Sequence, residues 1–508
     1  MDTRVPPLPM DPGFAADLRR RGSDPKKAER VFARVMSYTH HALPDPPASA
    51  DANLCALLPH DAVDRLSRLP DLLLGNIVSR VPIKEAARTA ALSRRWRPVW
   101  RSTPLVLVDS QVLPAGTEVT RAHARRVTSA VSGVFAAHPG PFRCVHLTSS
   151  CMEDFHGLLA RWLQILADKG IQELVLVNRP WPLDLVLPAT FLGMTTLTRL
   201  YLGLWKFPDT AAVPRATCFP NLRELGLCVV LIESRDLDFI LDRSPVLEKL
   251  CVQGNLFKLS LRLVSQSLRC LQFIGCFVDE IAVVHAPSLE RLIHSLGWTR
   301  DGVCTKVKIG HAPKLHSFGY LDPAIHVLEV GNIVIKTGTN ATPSTMVPSV
   351  KILALEFRCG ARNDVKMIPA ILRCFPNVET LHVMSRETDQ SSSKPNPKFW
   401  NECGTIECIR SRIKMLVFYA YRGDRSELAF IKFFLGSALV LKKIAIVLAN
   451  NVFSSKEEAD SKMMPLRTMK RANDDSKMLV TGRNPDGGNI WSFKRGSDFS
   501  LVDPFEDC

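Results

Sequence analysis

The chain carries fourteen cysteines and thirteen histidines, the residue types that supply nucleophiles and metal ligands. Their spacing argues against both uses. No C-x-x-C pair occurs, and the closest intervals, Cys270 with Cys276 and Cys403 with Cys408, do not fit the usual patterns of tetrahedral zinc sites. His40-His41 lies in a proline-containing arm, where a solvated pair is the simpler account than a metal-bound one. There is no G-x-S-x-G elbow, P-loop, H-E-x-x-H or dinucleotide fingerprint, so no nucleophile is set beside a base and no loop cradles a phosphate. We therefore expect no catalytic residue, no metal and no cofactor, and thiols that are reduced and mostly buried.

With catalysis set aside, recognition remains, and residues 64–101 say most about it. Pro70 can open a helix in which Leu73, Leu74, Ile77, Val78 and Val81 recur at the spacing of one apolar face, and Pro82 stops it. Ile83 to Leu92 supplies a second helix with small Ala86, Ala87, Ala90 and Ala91. Ser93 reads as the N-cap of a third, from Arg94 to about Trp100, with Trp96 and Trp100 one turn apart.

The ordered set Leu69-Pro70-Asp71, Ile77-Val78-Ser79, Pro82-Ile83-Lys84 and Leu92-Ser93-Arg94-Arg95-Trp96-Arg97, ending in Trp100, resembles a plant F-box. The resemblance implies a helical hook, residues 64–104, that binds a Skp-type adaptor and through it a cullin of a ubiquitin ligase. Carried over by position, Leu69, Pro70, Leu73, Ile77, Val81, Leu92 and Trp96 are the expected adaptor contacts. The chain departs from the family at Leu72, where an acidic residue is common.

The net charge of +15 invites a nucleic-acid reading, since Lys and Arg neutralise phosphate. Within 64–101, however, nine basic residues stand against three acidic ones, so much of the excess sits on the docking module. Steering of an acidic adaptor, or plain solubility, accounts for that better, because no zinc-finger or RNP-type motif accompanies the charge. A basic nucleic-acid-associated protein stays as an alternative class.

Beyond the first module, L-x-x-L-x-L segments recur from Ile171, Leu197, Leu222, Leu247, Leu268 and Leu289, with first positions 26, 25, 25, 21 and 21 residues apart. This is the period of leucine-rich repeats, in which each unit gives one short parallel strand and a returning segment. Weaker echoes begin at Leu315, Val350, Val378 and Leu441, and Val145-His-Leu147 is the expected start. The leucines must be buried between stacked units. The outward positions then line the concave sheet, and Arg199, Tyr201, Arg223, Glu224, Lys249, Arg269 and Arg291 are the candidate contacts for a protein target. Trp181, Trp205, Phe207 and Trp298 are candidate aromatic anchors on loops.

Toward the C-terminus, a probe for turn chemistry finds a polar loop over 385–398, then a strand from Ile413 to Tyr419, a helix opened by Ser426-Glu427-Leu428, and a returning strand from Leu441. With Trp400, Gly423 and the Leu441-Lys442-Lys443 run, this order resembles the FBD region that closes many plant F-box and leucine-rich-repeat proteins. The expected fold is thus α/β: a three-helix F-box over 64–104, an irregular repeat solenoid with parallel strands over 105–384, and an FBD-like strand-helix-strand cap over 399–450. Residues 1–60 read as a mostly disordered arm with one helical stretch, Asp24 to Tyr38, that can dock elsewhere. Residues 451–508 read as a flexible tail whose aromatic end, with Trp491, Phe493, Phe499 and Phe505, can fold back. The start of the sequence lacks the apolar core of a signal peptide and no run of about 18 apolar residues follows, so an intracellular soluble protein, nuclear or cytoplasmic, is expected. The functional expectation is a target-recognition subunit of a Skp-cullin-F-box ligase, the alternative within the class being an adaptor-binding scaffold outside proteolysis.

Overall fold

A computed structural model describes residues 15–16, 19–20, 22, 24–48, 65–112, 121–150, 152, 155–178, 185–297, 304–388, 399–450, 452–453, 455–482 and 493–506. Contacts divide the chain into two compact units, residues 2–257 and 258–508.

The first unit opens with helix α1 (Pro25–Ala42), started by Pro25 and by Asp24, whose side chain accepts a hydrogen bond from the Lys26 amide at 3.0 Å. The next three helices, α2 (Asp71–Val78), α3 (Ile83–Thr89) and α4 (Trp96–Ser102), are short, and proline sits at the N-cap of α2 and of α3, where its missing N–H costs nothing. Leu74, Val78, Ile83, Ala86, Trp96 and Val99 are their buried apolar residues. Two expectations change. Ser93 is not the N-cap of the third helix, which begins at Trp96 without a side-chain cap; Ser93 instead offers its carbonyl to the Trp96 amide. Of the four alanines only Ala86 is fully buried, because α3 ends at Thr89 and leaves Ala90 and Ala91 in a turn.

From this bundle the chain enters β1 (Leu105–Val108), then β2 (Phe142–Leu147), β3 (Glu173–Val177), β4 (Arg199–Gly203), β5 (Glu224–Cys228) and β6 (Lys249–Gln253), each paired in parallel with the next. Register explains the repeat. Leu174, Leu200, Leu225 and Leu250 stand opposite one another, as do Leu176, Leu202, Leu227 and Val252, and both columns are buried. The array starts one strand before Val145, since β1 pairs with β2 and was hidden by its uninterrupted Leu-Val-Leu-Val run. Helices α5 (Arg121–Ala137), α6 (His156–Asp168) and α7 (Ser234–Asp242) lie between strands as return segments.

Helix α1 and the residues after it do not stand apart. Ala48 packs with Val106, Val108 and Cys144, and the Cys228 thiol lies 3.7 Å from the Thr39 hydroxyl. Gly203 permits the approach, because a Cβ there would come within 2.7 Å of the Thr39 methyl. The outward face of these strands therefore carries the chain's own N-terminal helix.

The first part of the second unit returns by strands instead of helices. Strands β7 (Leu259–Val264), β8 (Cys270–Ile274), β9 (Val278–His285), β10 (Arg291–Ser295), β11 (Thr305–His311), β12 (Ser317–Leu321), β13 (His326–Val330) and β14 (Ile333–Val334) alternate between two sheets. β7, β9, β11 and β13 form a parallel return sheet, with β14 antiparallel at its edge. In Leu259-Ser-Leu-Arg-Leu-Val the leucines are buried and the residues between them exposed. An extended return advances about 3.3 Å per residue against about 1.5 Å for a helix, which is why the repeat shortens to 21 residues here.

The repeat sheet continues with β15 (Ile352–Phe357), helix α8 (Arg362–Cys374), β16 (Thr380–Ser385), short helices α9 (Phe399–Glu402) and α10 (Glu407–Ser411), β17 (Met415–Tyr421), α11 (Arg425–Ser437) and β18 (Lys443–Leu448). The cap is the expected strand-helix-strand, its first strand two residues later than predicted at each end. Asp424 and Glu427 make a reciprocal capping box at the start of α11. The polar loop expected at 385–398 falls for the most part outside the described residues.

The first part of the stretch expected to be a flexible tail is instead one more unit: α12 (Lys456–Arg467) and β19 (Lys477–Gly482), the latter parallel to β18. Ala459, Met463 and Leu466 supply a narrow buried stripe that surrounding charges obscure in the sequence. The end of the chain folds back after α13 (Phe493–Ser497), with Phe505 buried; Trp491 lies outside the described residues.

Candidate functional site

On the first unit, the hook separates into residues that hold and residues that show. Leu72 is 87% exposed, Leu92 65%, Leu73 50% and Leu66 46%, while Pro70 is exposed and Leu69, Ile77 and Val81 are half-buried. Trp96 is 6% exposed and belongs to the small helical core, so its part is to position the hook and not to touch a partner. Four large apolar side chains are thus left in water on so small a module.

Arg95, which the apolar pattern could not single out, ties this surface together. Its guanidinium donates to the Leu69 carbonyl at 2.6 Å, to Asp71 Oδ1 at 2.9 Å and to the Ser67 carbonyl. The turn bearing Leu92 is thereby clipped to the segment bearing Leu66, Leu72 and Leu73. The fork geometry of arginine is what lets one side chain serve three acceptors.

The candidate target contacts fall into two groups. In the first unit, Glu173, Arg199, Glu224 and Lys249 occupy one register position on four successive strands. Arg199 bridges Glu173 at 3.0 Å and Glu224 at 2.8 Å, Lys249 reaches Glu224 at 2.9 Å, and the Tyr201 hydroxyl donates to Glu224 at 3.2 Å. Burial would push the Glu224 carboxyl up, but Lys249 and Arg199 outweigh it and hold the group below its ordinary value. Arg223 pairs with Glu248 alongside. These charges answer one another across the sheet, and Tyr201 is buried, which removes it from the set expected to meet a target directly.

In the second unit, Arg269 and Arg291 are engaged by the chain's own C-terminal segment. Arg291, also buried, donates to the carbonyls of Gly496 and Asp498, both at 2.9 Å, and of Leu501. The Phe499 ring lies 3.9 Å from the Arg269 guanidinium and 4.8 Å from that of Arg291, and Arg269 also pairs with Glu290 at 2.7 Å. Farther along, Asp503 accepts from His382 Nε2 at 2.8 Å and the Tyr419 hydroxyl donates to the Phe505 carbonyl at 3.0 Å. Phe505 is buried among Ile293, Ile352 and Ala354.

Of the aromatic anchors, Trp205 and Phe207 are buried beneath their loop and face no solvent; Trp181 and Trp298 lie outside the described residues. Eight of the described cysteines are buried, and burial pushes the Cys408 thiol up to about 12, so these thiols behave as small apolar side chains.

A three-helix module with an exposed leucine surface, followed by parallel strands in leucine register, defines the F-box/leucine-rich-repeat class. The sequence comparisons agree. Residues 66–107 match the F-box domain, 159–383 match the repeats of the FBD-associated F-box protein At5g56370, and 401–446 match FBD. Among relatives from Arabidopsis thaliana, F-box/LRR-repeat protein 13 is 23% identical over 463 residues, covering 83% of this chain and 97% of the relative. F-box/FBD/LRR-repeat protein At1g51370 is 25% identical over 461 residues, covering 84% and 98%. The chain thus carries an F-box, leucine-rich repeats and an FBD region, and is similar over most of its length to plant F-box/FBD/LRR-repeat proteins.

Proposed function

We propose that this chain is the target-recognition subunit of a Skp-cullin-F-box ubiquitin ligase, docking a Skp-type adaptor through residues 64–104 and selecting a protein target through its repeats. The observation that carries the reading is the exposed set Leu66, Leu72, Leu73 and Leu92, held on a helical frame by Arg95. An apolar surface of this kind, rimmed by arginines, suits a partner whose own surface is apolar at the centre and acidic at the edge. Leu69, Pro70, Ile77 and Val81 complete the contact from half-buried or rim positions. The chain contributes no bond-making group: it raises the effective concentration of target lysines near a conjugating enzyme that other subunits bring.

The charge ladder on the repeats argues against the nucleic-acid alternative, since its arginines and lysines are already paired with carboxylates in register. The test is co-purification of adaptor and cullin with the wild-type chain and with Leu73→Asp/Leu92→Asp. Capture by the wild type and loss in the variant is the expected result; a folded wild-type chain that ignores every Skp-type adaptor overturns it. Target ubiquitination in a reconstituted assay then separates a ligase subunit from an adaptor-binding scaffold.

A further inference from the structure

We propose that the outward face of β8, β10, β12, β15, β16 and β17 is a peptide groove that reads an aromatic ring followed by an Asp-Pro-Phe turn, and that residues 496–505 are its built-in occupant, displaceable by a target segment of the same chemistry. This rests on taking the repeats as the target-selecting half of the proposed function.

The first argument is composition. A sheet face that met only water would carry polar side chains at its outward positions, yet here Ile293, Ile352 and Ala354 are apolar and buried, with Phe505 as the group that covers them. The second is the polar frame around that pocket. A buried guanidinium is costly unless its donors are satisfied, and Arg291 meets that need with three main-chain carbonyls of the tail. Main-chain carbonyls are common to every peptide. Selectivity comes from the side chains: Arg269 and Arg291 flank the Phe499 ring, His382 takes Asp503, and the Phe505 pocket lies next to it, with Tyr320 against its edge at 5.2 Å between ring centroids.

The third argument is that the tail is an occupant and not part of the sheet. It forms no strand of either sheet. Its shape is held by local turns: Ser500 donates from both its amide and its hydroxyl to Asp498 Oδ1, the Leu501 amide donates to the Asp498 carbonyl, and the Phe505 amide donates to Asp503 Oδ1. A short peptide carries those turns with it. Gly496 lies so flat on the face that a Cβ would collide with the Gln272 amide, so the groove also selects for backbone at that point.

The test uses the full chain with Phe499→Ala/Phe505→Ala, which weakens the tail and leaves the groove intact, and a fluorescent peptide with the sequence of residues 493–506. Anisotropy should show binding to the variant with a Kd of about 1–50 μM, and binding to wild type at least about tenfold weaker, because the tethered tail competes at a roughly millimolar effective concentration. Adding Arg291→Ala, or replacing the last phenylalanine of the peptide by alanine, should cost about 30-fold. A variant that retains its circular dichroism but does not bind the peptide overturns the proposal. Should the variant not fold, hydrogen exchange on the unaltered chain decides: amides of 498–505 should exchange at least about 100-fold faster than those of β10 and β12, and equal rates make the tail part of the cooperative core. No adaptor enters these assays, so failure of the docking reading would leave them untouched, and their failure would leave docking untouched.

Discussion

Replacing Arg95 by alanine isolates the clip that organises the F-box surface. The side chain makes three hydrogen bonds, to Leu69, Asp71 and Ser67, and buries none of the helical core, so Trp96, Val99 and Leu74 keep their packing. At 41% side-chain exposure each bond is discounted for solvent, to roughly 0.5 kcal/mol, and their sum is about 1–2 kcal/mol of local order. Global stability should change little. Adaptor affinity should fall by about 5- to 30-fold, since each 1.4 kcal/mol is a factor of ten and the lost order must be restored on binding. Titration calorimetry against a purified Skp-type adaptor reads this directly, with Arg95→Lys, which keeps the charge but not the fork, expected between the two. An Arg95→Ala chain that binds within about twofold of wild type, while Leu73→Asp abolishes binding, would refute the clip.

Glu427→Ala removes the acceptor for the Ser385 hydroxyl at 2.6 Å and for the amides of Arg422 and Asp424 at 2.9 and 3.2 Å, so about 3 kcal/mol of stability and a melting point lower by several degrees are expected by calorimetry; a change below about 1 °C contradicts this. His326 Nδ1 accepts from the Asp322 amide at 2.8 Å, which leaves Nε2–H to donate to His294 Nδ1 at 2.6 Å. Burial holds His294 down at about 4 and His326 well below its ordinary value of 6.5. The unfolded imidazoles take protons first as pH falls, so stability is complete above 6.5 and drains between there and about 4, by roughly 3 kcal/mol for His294, and His294→Gln should flatten the denaturation midpoint against pH relative to wild type. Gly203→Val should lift α1, because a Cβ there already crowds Thr39, and limited proteolysis should then cut within 25–48; unchanged protection would count against the docked helix.

Leucine spacing made the strands legible because each repeat must bury the same three positions, and the register of Leu174, Leu200, Leu225 and Leu250 repeats that demand strand by strand. The same logic could not assign faces on the F-box. Trp96 and Leu73 share the apolar class, and only the packing of α2 on α4 decides that one is covered and the other exposed. Arg95 carries no local signal as a single arginine among eight other cations; its acceptors, the Ser67 and Leu69 carbonyls and the Asp71 carboxylate, stand 24 to 28 residues away. For the outward sheet positions the alternation predicted orientation correctly, and accessibility wrongly at Tyr201 and Arg291. Tyr201 and Arg291 do point away from the leucine core, but partners from the same chain meet them there. The aromatic content of the tail foretold that it folds back; its landing place depends on Arg291 and His382, more than a hundred residues upstream.

The ladder Glu173, Arg199, Glu224, Lys249 alternates in sign once per strand, and this has a bearing on how such an array can lengthen or shorten. Losing a single unit from its middle would bring two carboxylates or two cations side by side at cross-strand distance, whereas losing two adjacent units restores opposite neighbours. Charge thus imposes an even-number rule on this part of the molecule, one that the uncharged buried columns are blind to.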